Sequence, residues 1–155
     1  MPDGRHDFDF IHGRWTVHHR RLTDRLDPAC DTWETSTGTG VAEPVLDGIG
    51  NLDRVWSADI EGLTLRLYDP GEDLWRIWWS STARPGRLDP PMQGRFGNGV
   101  GVFHAEDVID GVPIAVRFDW TRTDTPSPRW SQAFSFDGGE TYKSNWTMDF
   151  EAATA

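Results

Sequence analysis

The feature that most constrains the fold is a period of two in the last third of the chain. From Ile114 to Trp120, and again from Trp146 to Phe150, apolar side chains alternate with polar ones. Such alternation is typical of antiparallel strands that have one face on a core. An Asp-Gly-Gly sequence at 137–139 separates segment 129–136 from segment 141–150 and predicts a hairpin with a row of rings on one side.

Glycine and proline divide the rest of the chain into similarly short segments. Only "HDFDFIHG", ending at Gly13, predicts a helical turn, because no later segment has an apolar stripe of helical period. The predicted strands are 15–22, 32–40, 50–60, 63–68, 75–82, 93–96, 100–107, 114–123, 129–136 and 141–150. Closing such a sheet buries every apolar face and removes the edges. We therefore predict an all-β fold with one domain over 1–155, an antiparallel up-and-down barrel of eight to ten strands.

The composition narrows the classes of partner. The chain carries a formal net charge of -10, which disfavours nucleic acid and an anionic membrane surface as partners. Cys30 is the single cysteine, so an intramolecular disulfide is excluded and a reducing compartment is expected. The start of the chain, "MPDGRHDFDF", has no apolar signal region, and we expect a cytoplasmic protein.

Several motifs resemble those of one family. "GRWTV" at Gly13 to Val17 resembles the Gly-x-Trp signature of the lipocalin and wider calycin group. Together with "LDGIGNLD", "LRLYDPGEDLWRIWWSS", "GRLDPPMQGRF" and "WSQAFSFDGGETYKSNWTMDF", it resembles small bacterial lipocalin-like proteins of unassigned function. The resemblance implies a calycin-type barrel closed at one end by Trp15 and open at the other, and it implies no particular reaction. The doublet His18-His19, and His104 in place of an aromatic residue, depart from the family pattern.

Two histidines are the candidate acid or base groups. If Trp15 points into the barrel, His19 points the same way, while His18 faces outward. His104 shares a face with Val100 and Val102, which we expect to be the inner one. The alternative for both is a purely structural histidine. The histidines have no zinc-site spacing, so no metal is expected, and no cofactor-binding motif is present.

The candidate ligand contacts are rings and the polar groups among them. Gln132 and Ser144 lie in the apolar row of the last hairpin, where a polar side chain needs a partner. Arg76 shares a face with Trp78 and has two alternatives, an inward guanidinium that binds an anion or an exterior position. The expected ring contacts are Trp78, Trp120, Trp130 and Trp146.

These residues support four functional hypotheses. The first is binding of a small, largely apolar, aromatic or polycyclic molecule in the barrel. The second is a cofactor-independent isomerase, cyclase or hydratase, with His19 or His104 as acid or base and Arg76 or Gln132 stabilising an oxyanion. The third is haem binding through one of the same histidines. The fourth is a filled barrel that acts through its surface or as a homodimer.

Overall fold

Ten strands, each antiparallel to its neighbours in sequence, close into one barrel, because the first strand also pairs with the last. The computed structural model describes residues 3–153. The strands are β1 Gly13–Leu22, β2 Trp33–Val45, β3 Gly50–Trp56, β4 Glu61–Asp69, β5 Leu74–Ser81, β6 Met92–Gly97, β7 Val100–Ile109, β8 Val112–Thr121, β9 Arg129–Ser135 and β10 Lys143–Ala152. The predicted all-β up-and-down barrel is confirmed, at the upper end of the expected strand number. Among the described residues, no helix is long and apolar enough to cross a bilayer.

The alternation in the last strands has the predicted consequence. Ile114, Val116 and Trp120 of β8 are buried, as are Trp146 and Phe150 of β10. Their polar neighbours on the same strands face outward, where Arg117 and Asp119, for example, form an ion pair on the barrel surface. Closing the sheet therefore gathers the apolar faces into a single interior.

One end of the barrel is closed by the segment before β1. This segment forms two short 3-10 turns, Gly4–His6 and Asp9–Ile11, where the sequence predicted a helical turn. Phe8 and Ile11 point into the barrel and are almost fully buried. The indole of Trp15 donates to the carbonyl of Ile11 at 2.7 Å, and the indole of Trp75 donates to the carbonyl of Gly4 at 3.0 Å. Two tryptophans thus hold the segment in place across the barrel end.

The opposite end carries the connections 23–32, 57–60, 82–91, 110–111 and 136–142. The last of these is ordered by Asp137, whose side chain accepts hydrogen bonds from the Ser135 hydroxyl and from the backbone amides of Glu140 and Thr141. These bonds, with that of Ser135 the strongest influence, hold the pKa of Asp137 well below its usual range. The Asp-Gly-Gly stretch is therefore a rigid part of this rim.

Candidate functional site

A cavity of about 290 Å³ lies inside the barrel and reaches the rim opposite the closed end. Residues of the 82–91 and 110–111 connections lie at its mouth, and its wall combines aromatic, aliphatic and charged side chains. The aromatic residues that line it are Trp79, Phe118, Trp120, Trp130, Phe134, Trp146 and Phe150. The interior is thus lined with rings but is not filled by them.

The tryptophans of the wall contact one another edge to face. The ring centroids of Trp130 and Trp146 are 5.3 Å apart at 88°, and those of Trp79 and Trp146 are 6.2 Å apart at 84°. Phe118 meets Trp130 at 5.0 Å and 68°. Aromatic pairs favour this geometry, which adds about 0.5–1.5 kcal/mol per pair beyond the area buried. The contacts fix the ring positions and so preserve the cavity shape.

Four of the sequence-predicted contacts meet at this cavity. Trp120, Trp130, Gln132 and Trp146 all line it, and all are buried. They come from β8, β9 and β10, the strands whose alternation was clearest in the sequence.

The predicted inner face of β5 was wrong. Ile77 and Trp79 line the cavity, whereas Trp78 and Arg76 lie on the other face of the strand. Arg76 donates to Asp69 at 2.8 Å on the outside of the barrel, so its exterior alternative is confirmed. Both faces of β5 carry apolar residues, and the period alone therefore did not distinguish them. Trp79, which the sequence analysis missed, has room because Gly62 lies beneath its ring: a Cβ there would come within 1.9 Å.

Ser144 is exposed, against expectation, because β10 contains a bulge. The register with β9 shifts between Ser144 and Trp146, so that the extra residue, Asn145, turns inward beside Trp146. A bulge breaks the period of two locally, which reverses the side of the residue before it. The amide of Gln132 donates to Asn145 Oδ1 at 2.9 Å. A barrel neighbour, Asn145, is thus the interior partner of Gln132.

His104 also lies outside the barrel, and its predicted inward orientation was wrong. Phe103 is fully buried, and Ala105 and Asp107 line the cavity, so the odd positions of β7 face inward. The valines at 100 and 102 suggested the other face, but the larger Phe103 ring takes the interior position. His104 contacts the ring of Tyr142 on the barrel surface at 6.2 Å between centroids.

His19 faces inward as predicted, and it orients a tryptophan. The Trp146 indole donates to His19 Nδ1 at 3.1 Å, so the neutral ring carries its proton on Nε2. Burial, reinforced by the positive charges of Arg21 and His18, lowers the pKa of His19 to about 4. His19 is not among the residues that line the cavity, and its contact with the site is made through Trp146.

The free energy of unfolding should therefore decrease as the pH is lowered, and His19 should account for part of this decrease. The unfolded chain binds a proton near pH ~6.5, whereas the folded chain binds it only near pH 4. The contribution is fully present above about pH 6.5 and is lost as the pH falls toward about 4. On going from about pH 7.5 to about pH 4.5, the free energy of unfolding of the wild type should decrease by roughly 2–3 kcal/mol more than that of His19→Gln. This variant has no titrating group at position 19 but keeps a hydrogen-bond acceptor for Trp146. Urea unfolding at both values measures the difference, and parallel losses in the two proteins would contradict it.

A buried charge cluster lies deeper in the barrel and was not identified as a site from the sequence. Arg66 and Asp53 are 4% and 5% exposed, and Arg66 Nη2 is 2.6 Å from Asp53 Oδ2. Arg66 Nη1 also donates to Asn51 Oδ1 at 2.9 Å. The guanidinium lies 5.0 Å from the ring of Phe8 and 5.6 Å from that of Trp120. Arg66 and Asp53 both line the cavity, so the apolar site has an ion pair in its wall.

Three further arginines lie at the mouth. Arg84 donates to Asp89 at 3.0 Å and to Asp107 at 2.8 Å. Arg21 lies over the ring of Trp146, 4.6 Å from its centre, and Arg25 lies 5.6 Å from the ring centre of Phe134. Burial, followed by the nearby charge of Arg21, lowers the pKa of Arg25 to about 10, where it is still a cation at neutral pH.

The residues of the cavity do not fit haem bound through a histidine. Haem binding through a histidine requires one that faces the cavity. His104 is outside the barrel, and His19 is not in the cavity wall. In the part of the chain from 3 to 153, no group of three or more histidine, cysteine or acidic side chains is arranged to hold a metal ion.

Comparison with known proteins assigns no family to the chain. No family model matches it, and no curated protein matches it. The resemblance to lipocalin-like proteins stays a prediction from the motifs.

Proposed function

We propose that the protein binds a small, largely apolar, planar molecule in its barrel cavity. The observation that carries the proposal is the space of about 290 Å³ left open among the rings of Trp79, Trp120, Trp130 and Trp146. Apolar side chains that are free to collapse fill such a space, because protein interiors pack closely. Here the edge-to-face contacts brace the rings around the space. A planar aromatic or polycyclic molecule matches the shape and chemistry of such a wall.

The size of the cavity supports a small ligand. Ligand pockets commonly measure about 300–1,000 Å³ and combine an apolar wall with a few fixed polar groups. This cavity, at about 290 Å³, lies just below the lower limit of that range. Gln132 is one of the polar groups among the rings, and its Nε2 donates to Asn145. Its carbonyl oxygen has no hydrogen-bond partner among residues 3–153 and is available to a donor on the ligand.

Binding is favoured over the alternatives by the placement of the histidines. The enzyme hypothesis assigned the acid or base to His19 or His104, and neither lines the cavity. A filled barrel is disfavoured by the cavity itself. The lipocalin-like resemblance is consistent with the binding proposal and identifies no ligand.

A substitution that fills the cavity tests the proposal. Ala105 lines the cavity on β7, and Ala105→Phe places a ring in the space that the ligand would occupy. We expect the affinity for naphthalene-2-carboxamide, a neutral planar probe, to fall by about tenfold or more. The introduced phenylalanine takes the space of one ring of the probe, so the apolar contacts of that ring with the cavity wall are lost. Calorimetric titration measures the affinity. In the wild type, the indole N–H resonances of Trp130 and Trp146 should shift on titration, whereas that of exterior Trp78 should not.

The matched control is Ala133→Phe. Ala133 lies on β9 opposite Arg117, on the outer face of the barrel, so this variant adds the same ring without entering the cavity. It should bind the probe as the wild type does. Equal losses in the two variants, or a shift of the Trp78 resonance alone, would place binding elsewhere and overturn the proposal.

A further inference from the structure

From the residues at the mouth of the cavity we infer that the ligand is an anion. Arg21 and Arg25 bind its carboxylate, while its apolar body lies among the rings. The inference rests on the proposed function and specifies the class of ligand as small aromatic or polycyclic carboxylates.

The first observation is the lack of partners at these two arginines. Within residues 3–153, every other buried or half-buried arginine has a carboxylate partner. Those pairs are Arg66 with Asp53, Arg76 with Asp69, Arg84 with Asp89 and Asp107, Arg117 with Asp119, and Arg129 with Asp149. Arg21 and Arg25 are half-buried and have neither an ion pair nor a hydrogen bond to another residue in this part of the chain.

The lack of partners is not explained by a shortage of acids. The chain has 25 acidic residues against 15 basic ones. The charges of Glu34 and Asp59 reach Arg21 and that of Asp89 reaches Arg25, yet among residues 3–153 none of these carboxylates forms an ion pair with either guanidinium. Keeping two neighbouring guanidinium groups partly desolvated and unpaired is unfavourable, and a bound anion would relieve both the desolvation and their mutual repulsion.

The second observation is that both groups are held against the aromatic wall. Arg21 is on β1 and lies over Trp146, while Arg25 lies 5.8 Å from the same ring centre. The connection that carries Arg25 is tied to β10, because Lys143 Nζ donates to the carbonyl of Pro28 at 2.7 Å and to that of Cys30. A ligand ring that packs beside Trp146 therefore places its carboxylate next to the two guanidinium groups.

The third observation concerns the charge and shape of the anion that the site favours. Asp89, Asp107 and Asp110 also line the cavity toward its mouth. Asp89 and Asp107 are engaged by Arg84, but their charge, with that of Asp110, repels an ion of higher negative charge. A planar, singly charged carboxylate suits the fork of a guanidinium and adds the least repulsion.

The test compares two probes of nearly the same shape. Calorimetric titration with 2-naphthoate and with naphthalene-2-carboxamide should show that the wild type binds the carboxylate about tenfold or more tightly than the amide. The double variant Arg21→Gln/Arg25→Gln should lose this preference, so that the ratio of its affinities for the carboxylate and the amide falls to about one. Arg20→Gln is the matched control, because Arg20 is the exposed neighbour that lies over Trp33 at 4.0 Å, outside the barrel.

Each outcome separates the inference from the proposed function. If both probes bind the wild type equally, or if the double variant keeps the preference, cavity binding stands and the carboxylate site is overturned. If the wild type binds neither probe, the proposed function fails and the carboxylate site fails with it. A loss of preference in Arg20→Gln as large as that in the double variant would also overturn the site, since it would show a general effect of positive charge.

Discussion

Replacing Asp53 by alanine should lower the free energy of unfolding by about 3–5 kcal/mol, because it leaves the buried Arg66 guanidinium without its carboxylate. The two side chains are 4–5% exposed and 2.6 Å apart. Asn51 supplies one hydrogen bond to Arg66 but no charge. Urea unfolding monitored by tryptophan fluorescence measures the loss. The double variant Asp53→Leu/Arg66→Met, which removes both charges, should recover most of it.

A surface pair provides the control for this prediction. Glu61 pairs with Arg54 at 3.2 Å, but both side chains are about half exposed. Exposed pairs contribute about 0–1 kcal/mol, so Glu61→Gln should have little effect. If Asp53→Ala is as mild as Glu61→Gln, the buried pair does not stabilise the cavity wall. A double variant less stable than Asp53→Ala would contradict the explanation based on unpaired charge.

Replacing Phe8 by alanine should be comparably severe, with a loss of about 3–5 kcal/mol. Phe8 is fully buried in the closed end of the barrel, 5.0 Å from the ring centre of Trp75 and 4.9 Å from that of Phe96. It also covers Arg66. The substitution therefore leaves a space and removes the apolar cover from a buried charge. Chemical unfolding gives the stability change, and solvent exchange of the Trp75 indole N–H reports whether the closed end has opened.

Phe10 in the same segment is the matched control. It is only half-buried, and its nearest aromatic partner is Trp120 at 5.4 Å between centroids. Phe10→Ala removes the same atoms from a less buried position and should have a clearly smaller effect. Equal losses in the two variants would show that the segment contributes by its presence and not by the packing of Phe8.

The final strands show how far a local pattern predicts this fold. From β8 to β10, large apolar residues stand on one face and charged or small polar residues on the other, so the period identified Trp120, Trp130, Gln132 and Trp146 as interior. The prediction for Ser144 was wrong because the residue types of β10 do not by themselves indicate a bulge. The shift follows from the pairing of β10 with β9, which is a property of two strands and not of one.

β4 shows the opposite case. Its leucines at 63, 65 and 67 face outward, while Thr64, Arg66 and Tyr68 face inward. A local pattern places leucines inside and arginine outside. The observed orientation is stabilised by partners distant in sequence, since Asp53 pairs with Arg66 and the Tyr68 hydroxyl donates to Asp73 at 2.7 Å. The outward leucines lie in a row beside Trp78 on the outer face of the sheet.

Strand ends were also set by pairing. The segment 50–60 was predicted as one strand, but β3 ends at Trp56 and residues 57–60 form the turn to β4. β2 was predicted to end at Gly40, yet it continues to Val45 because β3 pairs with it along that length. A neighbouring strand extends pairing through residues of weak strand propensity.

The sequence by itself determined the all-β class, the antiparallel order and the aromatic interior, because short turns and a period of two act within a few residues. Only the tertiary structure decided which face of β4, β5 and β7 turned inward, where the cavity lay, and which arginines had partners. Those outcomes depend on ten strands sharing one closed volume. A side chain turns inward when that volume has space and a partner for it, and both are supplied by residues far away in the chain.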